Sequence, residues 1–186
     1  GEAGEGIILE DDCLPTPAFF RFCATMLERH RDDPRIGLIA GSNMAPLVEL
    51  PASHGFSRVT SCWGWATWKR AWDHFDSDMT AWRDRAEWGI VSRRVLHNLR
   101  ARLYWDVMFR MVDVGRRDSW AYRYLLTIWK EQGCTVVPKM NLVRNVGFDD
   151  EASHTGHLLG REAKTHVQRF PLSHPTEIVP DPLIDQ

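Results

Sequence analysis

The chain lacks any apolar run reaching the roughly 18 residues of a membrane-spanning helix. It also lacks charge of one sign. Twenty-three lysines and arginines face 25 acids, a formal net charge of −2 over 186 residues, which supports neither a nucleic-acid nor a membrane-surface role. Four cysteines (Cys13, Cys23, Cys62, Cys134) show no CxxC spacing. Because disulfide frameworks belong to smaller, loop-rich chains, buried reduced thiols in a cytosolic protein are expected. There is no Walker loop, no GxGxxG and no GxSxG, and Ser42, Ser53 and Ser61 stand in no nucleophile motif. Repeats and low-complexity tracts are missing too. Arg93-Arg94 and Arg116-Arg117 sit among balancing acids and read as solvated helix faces.

What is present fits one domain long enough to bury a core. The hydrophobic share is 44% and the charged share 26%, an ordinary globular balance. Nine tryptophans are many for this length; they imply a demanding core or a flat surface on which sugars stack. The acidic, Gly-rich opening Gly1 to Gly6 has no initiator Met and runs straight into Ile7-Ile8-Leu9. It reads as a loop inside a longer protein.

Gly6 to Leu9 reads as a buried strand ending in Glu10-Asp11-Asp12. Thr16 is placed to cap a helix with Pro17 at its first position. Ile36 to Ala40 is a second strand and Arg58 to Cys62 a third. A short helix follows Trp63 to Trp68 and ends near Asp73. Ala81 to Val114 reads as mostly helical. A helix from Ser119 to Gln132 stops at Gly133 in the C′ position. Thr135 to Val137 and Asn141 to Val143 are short strands, and prolines 171, 175, 180 and 182 mark residues 161–186 as an extended tail. Strands alternating with helices predict an α/β fold, a mixed sheet with flanking helices, and ligands gathering at the carboxyl ends of strands.

Three carboxylates directly after an apolar strand need positive compensation unless they form a solvated turn. A hard divalent cation, Mn²⁺ or Mg²⁺, is the natural partner, since both take oxygen ligands and share them with phosphates. Trp63-Gly64-Trp65-Ala66-Thr67-Trp68 sets three aromatics around one glycine, a sugar platform or simply core. His154 is suited to Mn²⁺ or a diphosphate, or is a surface histidine, with His157 close by. Asp118 stands before the Ser119 helix, either as its cap or as a base.

The run Gly6 to Pro15, followed by Phe19-Phe20, resembles the strand and DXD-type motif of GT-A fold nucleotide-sugar glycosyltransferases. It is most similar to a bacterial family 2-like group, some members of which carry a "hemolytic protein" label. In outline it is also similar to the eukaryotic N-acetylglucosaminyltransferase that begins complex N-glycan branches. Further matches follow in order: Ser42-Asn43, Trp63 to Trp68, Asp118-Ser119-Trp120, and Asn141 to Phe148 closing at Ser153-His154-Thr155. The resemblance covers roughly residues 6 to 156.

That resemblance implies a partial GT-A (Rossmann-like) domain over residues 1–160, its N-terminal nucleotide-binding strands missing. It implies a metal-dependent, inverting transferase that moves a sugar from a nucleoside-diphosphate donor to a glycan or other hydroxyl acceptor. By the same resemblance Asp12 and His154 bind metal, and Glu10, Asp11, Gly64 and Trp65 face the donor. Trp63 and Trp120 face the acceptor, and Asp118 is the base. Relatives often carry a second Asp where this chain has Ala121, which leaves the base open between the two positions. A cytoplasmic location is implied, free or peripheral to the inner membrane. Two other readings stand beside this one: a non-catalytic carbohydrate-binding or assembly module, and a metal-dependent phosphohydrolase, which would need a second acidic cluster. Without its first strands such a piece would leave an open sheet edge and bare apolar surface around Ile7, Ile8 and Ile36 to Ile39.

Overall fold

The computed structural model describes residues 3–45, 48–147, 165 and 167–185. Seven strands and six helices alternate along it: β1 (Glu5–Ile8), β2 (Cys13–Pro15), α1 (Pro17–Arg29), β3 (Ile36–Ala40), β4 (His54–Ser57) and β5 (Trp65–Trp68) come first. Then follow α2 (Lys69–Trp72), α3 (Thr80–Arg83), α4 (Arg85–Val95), α5 (Leu99–Asp113), α6 (Trp120–Lys130), β6 (Cys134–Pro138) and β7 (Val143–Asn145). The fold is mixed α/β.

Five strands form one sheet in the order β1-β5-β3-β6-β4, and β2 pairs with β7 in a small antiparallel ribbon. Strands β3 and β6 are parallel, whereas β5 runs against both β1 and β3. The carboxyl ends of β1, β3 and β6 therefore converge on one end of the sheet.

Helices cover both faces. The apolar side of α1 (Phe19, Phe22, Cys23, Met26) packs with Ile36, Ile39, Ala66, Trp68 and Val136. On the other face Tyr124 and Ile128 of α6 meet Leu38, Ala40, Trp65 and Val137. The outer side of α6 carries a third core, in which Leu125, Leu126 and Trp129 join Trp82, Trp88, Val91, Phe109 and Val112. Helices α3, α4 and α5 thus rest on α6, away from the sheet.

Several expectations change. Arg58 to Cys62 is no strand; the chain pairs on either side of it, as β4 and β5. The tryptophan-rich segment is a strand because its side chains alternate, Trp65 toward α6 and Ala66 and Trp68 toward α1. Ala81 to Val114 breaks into three helices, because Asp84 caps α4 through Ala86 and Glu87 N–H, and Asn98 caps α5 through Ala101 N–H. Thr16 makes no side-chain cap bond to α1. At the end of α6 it is Gln132 that takes the left-handed backbone (φ 61°), and Gly133 lies one residue beyond it. Gln132 N–H donates to the Trp129 carbonyl and Gly133 N–H to that of Ile128, the paired bonds of a Schellman motif. The apolar run Ile36 to Ala40 is not bare: it is the central strand, buried throughout. Ile7 and Ile8 are half-buried on β1, an edge strand among the described residues rather than a central one.

Within the described part of the tail there is no helix or strand, and it lies along β4. Asp181 N–H donates to the Phe56 carbonyl, Ser53 N–H to that of Ser173, and the Asp185 carboxylate accepts from Ser57 Oγ at 2.7 Å. Leu172 and Ile184 are buried.

Candidate functional site

Antiparallel pairing sets Ile8 of β1 opposite Trp65 of β5, and Trp65 opposite Ala40 of β3. The acids that follow β1 and the Ser42-Asn43 step that follows β3 consequently flank the turn at Gly64. That turn is tight. Gly64 has φ 63°, its carbonyl accepts from Gly41 N–H at 2.8 Å, and a Cβ there would stand 2.8 Å from Val143 Cγ2. Gly64 therefore serves the protein's own packing, with Leu9 and Phe19 also against it, and its backbone is not open to a donor.

After Ile8 the chain turns through a Cys13 N–H to Glu10 carbonyl bond of 3.1 Å. The carboxylates of Glu10 and Asp12 and the Cys13 thiol then lie within 4.8 Å of one another. Glu10 and Asp12 are half-buried; Asp11 is exposed and outside the group. Val146 N–H donates to the Asp12 carbonyl at 2.8 Å, so the end of β7 pins the acid in place. A Cβ on Gly147 would fall 2.6 Å from Asp12 Oδ2, so this carboxylate sits directly on the glycine.

The donor set suits a hard cation in part. Two carboxylate oxygens match Mg²⁺ or Mn²⁺, which commonly take one or two carboxylates and complete their shell with water and phosphate. Burial, followed by the hydrogen bond to Asp12, pushes the Cys13 thiol up to about 11. With no metal bound it stays protonated at neutral pH. His154 lies outside the described residues, and so does His157.

Trp120, the first residue of α6, reaches back to this cluster and donates Nε1–H to Glu10 Oε1 at 3.4 Å. Its ring stacks on Trp65 at 4.8 Å between centroids, 30° between planes. Trp65 is only 4% exposed, with its Nε1 buried and without an acceptor among the described residues. Its face is occupied by Trp120 and Trp72, so it presents no platform to a sugar.

A cleft of about 1030 Å³ opens between residues 58–63 and the helices α4, α5 and α6, and none of Glu10, Asp12 and Trp120 lines it. Trp63, Cys62 and Arg58 form one wall; His97, Asn98, Arg100, Tyr104 and Trp105 form another, and Ser119, Ala121 and Tyr122 close it. Cys62 ties cleft to acids: its thiol is pushed up to about 11, first by burial and then by the Glu10 carboxylate. The structure thus brings Glu10, Asp12 and Trp120 together, while Trp63 lines the cleft and packs against the core that includes Cys13.

Asp118 is not brought there. Its side chain is 97% exposed and among the described residues pairs only with Arg123, at 3.7 Å, and no side-chain bond caps α6, whose N-cap is Ser119. Ala121, by contrast, lines the cleft. All four cysteines are unpaired; Cys13, Cys23 and Cys134 are buried and Cys62 is half-buried at the cleft. Reading the sequence missed Cys62, Tyr104 and Tyr122. Only the adjacency of Cys62 to Trp63 hinted at the first, and nothing in the α5 pattern distinguishes Tyr104.

The only candidate metal group among the described residues is Glu10-Asp12-Cys13, and no described helix is long and apolar enough to cross a membrane. No protein-family model matches the chain, and no curated protein matches it either.

Proposed function

We propose that this chain is the acceptor-side portion of a partial GT-A domain, in a metal-dependent, inverting glycosyltransferase that uses a nucleoside-diphosphate sugar. The observation carrying this reading is the pair Glu10 and Asp12, set half-buried after a strand and joined to Trp120, whose neighbours Ser119 and Ala121 line a cleft walled by Trp63. In such a reaction the acceptor oxygen bonds to the anomeric carbon, the diphosphate leaves with the electron pair, and a base takes the acceptor proton. Glu10 and Asp12 hold the divalent cation, which when bound neutralises charge growing on the diphosphate. Trp120 fixes Glu10 by its N–H, and Trp63 offers an aromatic face to the acceptor sugar. His154 is a further metal ligand in this reading.

Asp118 serves as base only if its side chain turns from Arg123 into the cleft, whereas position 121 already faces it. That observation favours a second reading, a carbohydrate-binding or assembly module that keeps the cleft and has no base.

Calorimetric titration with Mn²⁺ alone and nucleotide-sugar turnover by the natural full-length protein test both. Asp12→Asn is expected to abolish Mn²⁺ binding and to reduce transfer at least about a hundredfold. Asp118→Asn should remove kcat if Asp118 is the base. Retained Mn²⁺ binding with no turnover, and turnover gained in Ala121→Asp, would establish the second reading. Full transfer by Asp12→Asn would overturn the metal assignment.

A further inference from the structure

The whole-chain charge conceals a local excess. Residues 85–117 hold eight arginines, no lysine and three acids, a net charge of +5 inside a chain of −2. Two of those acids are taken: Asp106 pairs with Arg85 at 2.8 Å and Asp113 with Arg83 at 2.7 Å. Arg93, Arg94, Arg100, Arg110 and Arg116 have no carboxylate partner among the described residues.

Helix α5 carries two of these unpaired arginines, Arg100 and Arg110, on an unusual face. Its inner side, Met108, Phe109 and Val112, is buried in the third core. An outward side opposite such a stripe is normally polar. Here Leu99, Leu103, Val107 and Val114, four and seven residues apart, are 63%, 57%, 56% and 57% exposed. Arg100 and Arg110 fall on the same strip, three or four residues from its apolar members. The helix runs for 15 residues, about 22 Å.

We propose that the outward face of α5 docks on an anionic lipid surface, lying in the interface plane with its leucines and valines below the headgroups. Charge complementarity selects this occupant. Apolar side chains flanked by unpaired arginines match a bilayer of phosphate headgroups over acyl chains. A second copy meeting this face across a two-fold axis would set arginine against arginine. Nucleic acid would leave the exposed leucines in water. The docking face also places the cleft, because Arg100 and Tyr104 of the same helix line it. A hydroxyl acceptor held at a membrane would enter from that side.

Co-sedimentation with vesicles tests the proposal. The protein is expected to bind phosphatidylglycerol–phosphatidylcholine vesicles, to bind phosphatidylcholine alone far more weakly, and to be released as salt rises. The double variant Leu103→Glu/Val107→Glu should lower partitioning at least about tenfold, and Arg110→Gln about fivefold. Val179→Glu, an equally exposed apolar site in the tail, should change nothing; circular dichroism checks that each variant is folded. Equal binding to both vesicle types, or indifference to the α5 variants, would overturn the proposal. So would a lipid-independent dimer that Leu103→Glu dissociates, or release from vesicles by RNA with loss of RNA binding in Arg110→Gln.

Discussion

Gly64 shows how one residue can mean different things in sequence and in space. Between two tryptophans it suggests backbone opened to a ligand, yet its carbonyl is bound by Gly41 and its missing side chain makes room for Val143 and Leu9. Gly64→Ala is expected to lose about 2–4 kcal/mol, combining left-handed strain with overpacking. Gly115 shares the positive φ (69°) but has nothing within 4 Å of an added Cβ. Gly115→Ala should lose only about 1 kcal/mol. Urea unfolding of the two variants separates strain from packing; equal losses would show that Val143 yields without cost. The same contrast applies to Trp65 and Trp63. They are two residues apart in one motif, but Trp65 lies in β5 and is buried under Trp120, whereas Trp63 precedes the strand, ahead of the left-handed turn at Gly64, and lines the cleft.

Among the elements, the region from Ala81 to Val114 is the clearest case of a helix signal without its boundaries. Apolar periodicity runs through it because α3, α4 and α5 all send residues into one core. The breaks come from short polar side chains that compete with the helix by binding nearby N–H groups. Asp84 Oδ1 accepts from Ala86 at 2.9 Å and from Glu87 at 3.2 Å. Asp84→Ala is therefore expected to destabilise the chain by about 1 kcal/mol, read as a lower urea midpoint with unchanged slope. Asp84→Ser should recover most of it, since serine also caps. No recovery would assign the loss to something other than the cap. Strand β5 was obscured for another reason. Trp65-Ala66-Thr67-Trp68 lacks an alternation of apolar with polar residues, because both faces of a central strand are covered.

At the scale of the whole molecule, three histidines join the tail to the body. His54 Nε2 and His174 Nδ1 are 2.9 Å apart, and the His30 ring packs edge-on to His54. Burial, then His174 and His30, lowers the His54 pKa from 6.5 to about 3. Burial also lowers His30 and His174, with Arg29 opposing protonation of both and Asp33 favouring it at His30. In each case the folded value lies below the unfolded one, so the unfolded chain binds protons first. The stability these residues permit is complete above pH 6.5 and falls as pH drops from there toward 3. The His54 share has a slope approaching about 1.4 kcal/mol per pH unit. Urea midpoints between pH 7.5 and 5 should decline, and His54→Phe should flatten that decline by the share of one proton. An unchanged slope in His54→Phe would place the acid sensitivity elsewhere.

How much of this was legible in the sequence depends on the range of the cause. Composition and period determined the α/β class, the strands at Ile7 and Ile36, the helix after Pro17 and the one ending near Gly133, because those signals lie within a few residues of each other. They also located the acid motif at a strand end, since an apolar run stopping at three carboxylates is local information. Tertiary structure alone decided that Asp11 leaves the cluster while Glu10 and Asp12 stay, that Trp120 reaches Glu10 across 110 positions, and that Asp118 faces solvent. It alone turned the leucines of α5 outward, because the core side of that helix is fixed by α6 and not by its own sequence. Local rules name which residues prefer helix, strand or burial; only packing between distant segments determines which of their faces is left to meet a ligand.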